Sequence, residues 1–202
     1  MVLHPLLMPT LLFALLLYLT PGLLGLDAFS NTLRLSLLIL IFIGTFGVPS
    51  LLIYYLFRSG YVRSLHLNTL ADRRLPYFLT ALIYTLLTFL FGFRMQLVST
   101  VAPEIAVLLG SITVSILLVG IISLYWQISA HGVGIGGTLG AMAALVIRFG
   151  ETNLFWLLTI FVVLAGLLAS ARLRLNAHTP AQVGAGLALG VGVSLIAVFW
   201  LI

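Results

Sequence analysis

Cysteine is absent from this chain, and so is lysine; all nine basic residues are arginine. Charge of either sign is scarce, at 6% of 202 residues, with four acids in total. Without cysteine there is no disulfide framework and no thiolate nucleophile. Without lysine or any basic run, a nucleic-acid interface is excluded as a partner surface. Arginine used alone suits anchoring at a membrane edge or a bidentate grip on phosphate. The scarcity of charge is matched by 62% hydrophobic residues and a mean hydropathy of +1.29. A soluble domain of this length has no use for so much apolar surface, whereas membrane spans of about 20 residues do. The apolar runs are continuous rather than alternating, which excludes a β-barrel. The fold class is therefore all-α: a polytopic bundle of transmembrane helices embedded in the bilayer.

Seven spans parse best, at about Val2–Leu19, Leu33–Phe57 with a kink at Pro49, Tyr77–Val98, Ile105–Trp126, Ile135–Phe149, Leu154–Ala171 and Val183–Ile202. The N-terminal run lacks the basic region and small-residue cleavage site of a signal peptide and reads as the first span. Residues 1–202 form one integral membrane domain without linker, repeat or low-complexity tail.

Counting spans puts three polar segments on one membrane face: "RSGYVRSLHLNTLADRRLP" from Arg58, "QISAHGVG" from Gln127 and "RLRLNAHTPAQ" from Arg172. His4 falls on that side too, while Asp27, Arg34, Arg94, Glu104, Arg148 and Glu151 lie opposite. Gly132, Gly136 and Gly140 recur every fourth residue, and Gly186 and Gly190 repeat the spacing. Such stripes let helix backbones approach closely in lipid, and packing along them would bring His131 near His178. A histidine at a span boundary is ordinarily a polar interface residue. Here a turn can fold Arg172 back towards His178, and Gln182 shares the helical face of His178. Two histidines and a guanidinium in an apolar-walled pocket suit phosphoryl transfer: one imidazole attacks, one protonates the leaving oxygen, and the cation neutralises the equatorial oxygens. A zinc site using His131, His178 and His66 would need three ligands with little positive charge nearby, so no metal and no cofactor is expected.

"Ser129-Ala130-His131-Gly132" and "Arg172-Leu173-Arg174-Leu175-Asn176-Ala177-His178" resemble the second and third signature motifs of the type-2 phosphatidic acid phosphatase superfamily. That superfamily includes lipid phosphate phosphatases, undecaprenyl-diphosphate phosphatases and the vanadium haloperoxidases. The resemblance covers roughly residues 125–202. It implies a phosphatidic acid phosphatase-like helical core with His178 as the nucleophile that forms a phosphohistidine. It further implies His131 as the general acid, Arg172 as a phosphate ligand, and Ser129 with the Gly132 amide as further donors. The chain departs from the family pattern in four places. Gln182 stands where the family has an aspartate, Ala171 where it has a serine (Ser170 is adjacent), and Ala130 where it has a glycine. The first motif is missing; its nearest counterpart is Arg73 and Arg74 ahead of Pro76, which read equally well as membrane-edge anchors. Asp72, the sole acid on that face, could substitute for the aspartate or pair with an arginine.

The resemblance implies a metal-independent membrane phosphatase acting on a phosphorylated lipid partner: phosphatidate, phosphatidylglycerol phosphate or a polyprenyl diphosphate. The alternative is a degenerate member that binds or transports such a lipid without hydrolysis. It also implies a bacterial plasma membrane and an extracytoplasmic site. The arginine distribution, six on the site face against three opposite, argues the other way by the positive-inside rule, unless arginines that hold phosphate are discounted.

Overall fold

The computed structural model describes residues 3–27, 29–65, 67 and 69–202, and among them the chain is helical throughout, without strands. A 3₁₀ turn, Pro5–Leu7, leads into α1 (Met8–Leu19). Then come α2 (Asn31–Arg58), α3 (Leu70–Arg94), a short α4 (Gln96–Val101), α5 (Pro103–Ile122), α6 (Ala130–Phe149), α7 (Thr152–Arg174) and α8 (Pro180–Leu201). Six of these are long and apolar enough to cross a membrane, and Pro5–Leu19 is a shorter apolar helix beside them. This is an integral membrane bundle of about seven spans.

The helices carry apolar residues all round, so the side facing lipid is nearly as hydrophobic as the core. Leu51, Phe93, Trp156 and Trp200 are 70%, 73%, 70% and 84% exposed, an arrangement that only a bilayer tolerates. The core is built round α1, whose Phe13, Leu16 and Leu17 are fully buried against neighbours that include Leu37, Phe91, Leu109 and Met142. Enclosed by the other helices, α1 delivers the N-terminal segment to the site face.

Most helix ends differ from the sequence parse by a few residues, and three of the differences bear on the site. The third span starts at Leu70 rather than Tyr77, because Thr69 caps it through the Asp72 amide and the helix then runs through Pro76. The fifth starts at Ala130 rather than Ile135, with Ser129 as N-cap. Its glycines, poor helix formers by propensity, are held in the helix by close packing against α8. The sixth ends at Arg174 rather than Ala171. The break expected at Pro49 takes the form of a π-turn over Ile43–Gly47. Pro49 has no amide to offer the Thr45 carbonyl, and the Tyr84 hydroxyl donates to that carbonyl instead, at 2.8 Å.

The closest helix pair is α6 with α8, parallel neighbours joined through the antiparallel α7. A Cβ on Gly186 would stand 2.5 Å from the Ser129 carbonyl oxygen, and one on Gly140 2.6 Å from that of Val191. Both glycine stripes are therefore used, and backbone lies on backbone.

Candidate functional site

The connection from α7 to α8 is made of two standard helix-end devices back to back. Asn176 adopts a left-handed conformation (φ 49°) just past the end of α7. Its amide donates to the Leu173 carbonyl at 3.0 Å, and the Ala177 amide donates to that of Arg172 at 3.1 Å. This is a Schellman turn, with asparagine in the place usually taken by glycine. Two residues later Thr179 caps α8, Pro180 opens it, and Gln182 closes a capping box. The motif's spacing is thus the minimum needed to end one helix and start its antiparallel successor. Arg172 and His178 are left facing the same space.

Gln182 does more than cap. Its side-chain oxygen accepts from the Thr179 amide at 3.1 Å, and that bond fixes which end of the side-chain amide is the oxygen. The same oxygen lies 3.1 Å from His178 Nδ1. An oxygen can only accept, so Nδ1 carries the proton and Nε2 holds the lone pair. Burial lowers the His178 pKa below its ordinary value, against the opposing effect of the Gln182 bond and the Gln127 backbone. His178 is a buried, neutral imidazole with an unprotonated Nε2.

His178 lines a cavity of about 620 Å³ that opens at the site face and descends between α1, α2, α3, α5, α6 and α8. Arg172, Arg73, His131, His4 and Gln127 share its upper wall. No carboxylate lines it, so two guanidinium groups face one hollow without a counter-charge, which is the electrostatic form of an anion site. Arg172 Nε is buried without a partner among the described residues. Arg73 is buried and braced: Nε donates to the Leu67 carbonyl at 2.7 Å and an NH group to that of Ile128 at 3.3 Å. His131, in the first turn of α6, has Nε2 buried and likewise unpartnered.

The structure thus gathers His178, His131, Arg172 and Arg73 around one cavity, with Gln182 behind His178. Four other residues stand apart. Arg74 is exposed and donates to the Leu124 carbonyl at 3.2 Å, outside the cavity wall. Ser129 is fully buried, and its hydroxyl accepts from the Gly132 amide at 3.3 Å. Those two groups are occupied with each other as the α6 cap, behind the wall. The Ser129 amide in turn donates to the Gln182 carbonyl at 3.2 Å, which ties the two motif segments together. Asp72 bonds to none of His131, His178, Arg73, Arg74 and Arg172: its carboxylate accepts from the Arg63 amide at 3.2 Å and the Thr69 hydroxyl at 2.7 Å. His66 lies outside the described residues.

One site residue was not singled out from the sequence. The His4 ring meets the His131 ring edge to face, with centroids 5.9 Å apart. Its Nδ1 accepts from the Leu6 amide at 3.3 Å, so the proton of the neutral ring is on Nε2. Burial lowers the His4 pKa and favours that neutral donor. The sequence signal was only its position on the site face; nothing local marked it as a neighbour of His131, 127 residues away.

The bundle is that of an integral membrane protein, and its cavity is lined by two guanidinium groups and three imidazoles. Compared with known proteins, the chain matches no family model, no curated protein and no solved structure.

Proposed function

We propose that the chain is a membrane phosphatase acting on a lipid phosphate or diphosphate through a phosphohistidine, as a divergent relative of the type-2 phosphatidic acid phosphatases. The observation that carries this is the tautomer of His178: the Gln182 oxygen holds the proton on Nδ1, so the lone pair of the neutral ring is on Nε2, at a cavity walled by Arg172 and Arg73. A phosphoryl group in that hollow would have its oxygens neutralised by the guanidinium groups. Nε2 attacks phosphorus, the bond to the leaving oxygen breaks, and His131 supplies the proton that oxygen needs. Water then attacks the phosphohistidine, His131 takes its proton, and phosphate leaves with the ring restored. The apolar lower cavity, with Met8, Leu12 and Ile116 in its wall, receives the lipid portion.

A second reading rests on the same glutamine. Gln182 orients the ring but brings no negative charge to the imidazolium that attack creates, so the site would bind or transport a phosphorylated lipid without turnover. Purified protein incubated with phosphatidate, phosphatidylglycerol phosphate and undecaprenyl diphosphate, with and without chelator, separates the two. Chelator-insensitive phosphate release supports the phosphatase; saturable binding without release supports the binding protein. We place the chain in a bacterial plasma membrane with its site on the extracytoplasmic face, counting Arg172 and Arg73 as phosphate ligands rather than topological signals.

A further inference from the structure

The cavity carries a second polar layer, well below the histidines and arginines. Thr80 lies seven residues after Arg73 on α3, and Thr138 seven after His131 on α6. Ser115 lies seven before Ile122, the site-face end of α5. Seven residues of helix are about 10 Å, so three helices bring hydroxyls to one depth. Ser194 of α8 joins them, since a Cβ on Gly137 would lie 3.5 Å from its hydroxyl. All four line the cavity and are at least nine-tenths buried, at 1%, 3%, 7% and 2% exposure for Thr80, Thr138, Ser115 and Ser194. The Thr138 hydroxyl donates back to the Gly134 carbonyl at 3.2 Å. No hydrogen bond is formed by the hydroxyls of Thr80, Ser115 and Ser194 with any described residue, although elsewhere in the bundle Thr85, Thr88 and Thr113 satisfy theirs within their own helices. The oxygens of Thr80, Ser115 and Ser194 are not among the sealed, unpartnered polar atoms of the bundle but open to the hollow, and three of them on three helices offer donors to a ligand that enters it.

We infer that this layer is a subsite for the acyl-ester carbonyls of a glycerolipid phosphate. The inference rests on the phosphatase reading for the phosphate end and adds what the site demands of the rest of the molecule. In a diacylglycerol phosphate the two ester carbonyl carbons stand five and six bonds from phosphorus. At roughly 1.2 Å per bond in an extended chain, that is about 6–7 Å. A hydrogen bond of about 2.8 Å from a serine or threonine hydroxyl closes the remainder of the 10 Å step. Beyond the layer the ligand must be apolar, as Ile112, three residues further along α5 than Ser115, requires. A polyprenyl phosphate offers no acceptor at that depth and would leave all three hydroxyls unpaired.

The test compares diacyl phosphatidate with its dialkyl ether analogue, which keeps phosphate and chains but lacks the carbonyls, and with a polyprenyl phosphate. Turnover and competitive binding are both measured on the full-length protein. The wild type should favour the ester over the ether by about tenfold in kcat/KM and in binding, one to two hydrogen bonds' worth. Thr80→Val, Ser115→Ala and Ser194→Ala should each reduce the ester-to-ether ratio, and the triple variant should bring it to within about twofold of one. The three single variants carry the test if the triple does not fold. A wild-type ratio near one, a ratio the substitutions leave intact, or tighter binding of the polyprenyl phosphate overturns the inference. Ester preference in binding without phosphate release upholds this subsite while defeating the phosphatase reading.

Discussion

At the residue scale the site turns on Gln182. Its side-chain oxygen serves two groups at once: it accepts from the Thr179 amide, which closes the capping box of α8, and from His178 Nδ1, which orients the ring. An aspartate at the same position would still meet the capping geometry and would add the charge that the imidazolium wants. Gln182→Asp should therefore raise phosphate release by about tenfold or more, equivalent to about 1.4 kcal/mol of transition-state stabilisation. Its effect on pH dependence has a definite sign. On the phosphatase proposal His178 attacks only when neutral, and burial lowers its pKa below the ordinary value, so wild-type activity should persist on the acid side of the ordinary histidine range and fall only as pH drops through the depressed value. A carboxylate on Nδ1 favours the charged ring, raises that pKa and moves the acid limb of the profile to higher pH. An unchanged rate and an unmoved limb in folded Gln182→Asp would mean that residue 182 does not govern the nucleophile.

At the element scale the short α7–α8 connection decides whether Arg172 and His178 meet. Asn176 is the one described residue of this connection in the left-handed region, where a β-branched side chain is strained. Asn176→Gly should preserve both stability and activity. Asn176→Val should cost about 1–2 kcal/mol and lower activity, because the turn that aims Arg172 opens. Thermal unfolding in detergent alongside phosphate release checks both, and a valine variant indistinguishable from wild type would remove the turn from the account. These elements also mark what was readable in the sequence. The spans were legible because their apolar runs are long, and the α6–α8 contact because glycines recur every fourth residue. The approach of His131 to His178 was legible from the same glycine stripes, and that of Arg172 to His178 from the turn between them. The helix starts at Leu70 and Ala130 were not, since caps at Thr69 and Ser129 precede segments that look like loop by composition. The mutual bond of Ser129 and Gly132, the position of Arg74 outside the cavity, and the contact of His4 with His131 depend on packing between distant elements, which local pattern does not encode.

At the scale of the whole molecule, the bundle is a wall of lipid-facing residues around a cavity that opens at one face. Which face that is can be read directly, because the chain has no cysteine to interfere. Single cysteines at Ser64, on the site face, and Thr152, opposite, can be labelled with an impermeant reagent in intact cells. An extracytoplasmic site predicts labelling at Ser64 and protection at Thr152; the reverse pattern inverts the orientation. The central claim, that this cavity breaks a phosphate ester through His178, is tested most directly by trapping the intermediate. Protein incubated briefly with a lipid phosphate labelled at phosphorus, then quenched in alkali, should carry label on His178, in the acid-labile, alkali-stable form of a phosphohistidine. His178→Ala should carry none, and His131→Ala should still be labelled by a substrate with a good leaving group. Label retained in His178→Ala, or a wild type that binds the lipid but is never labelled and releases no phosphate, would contradict the account.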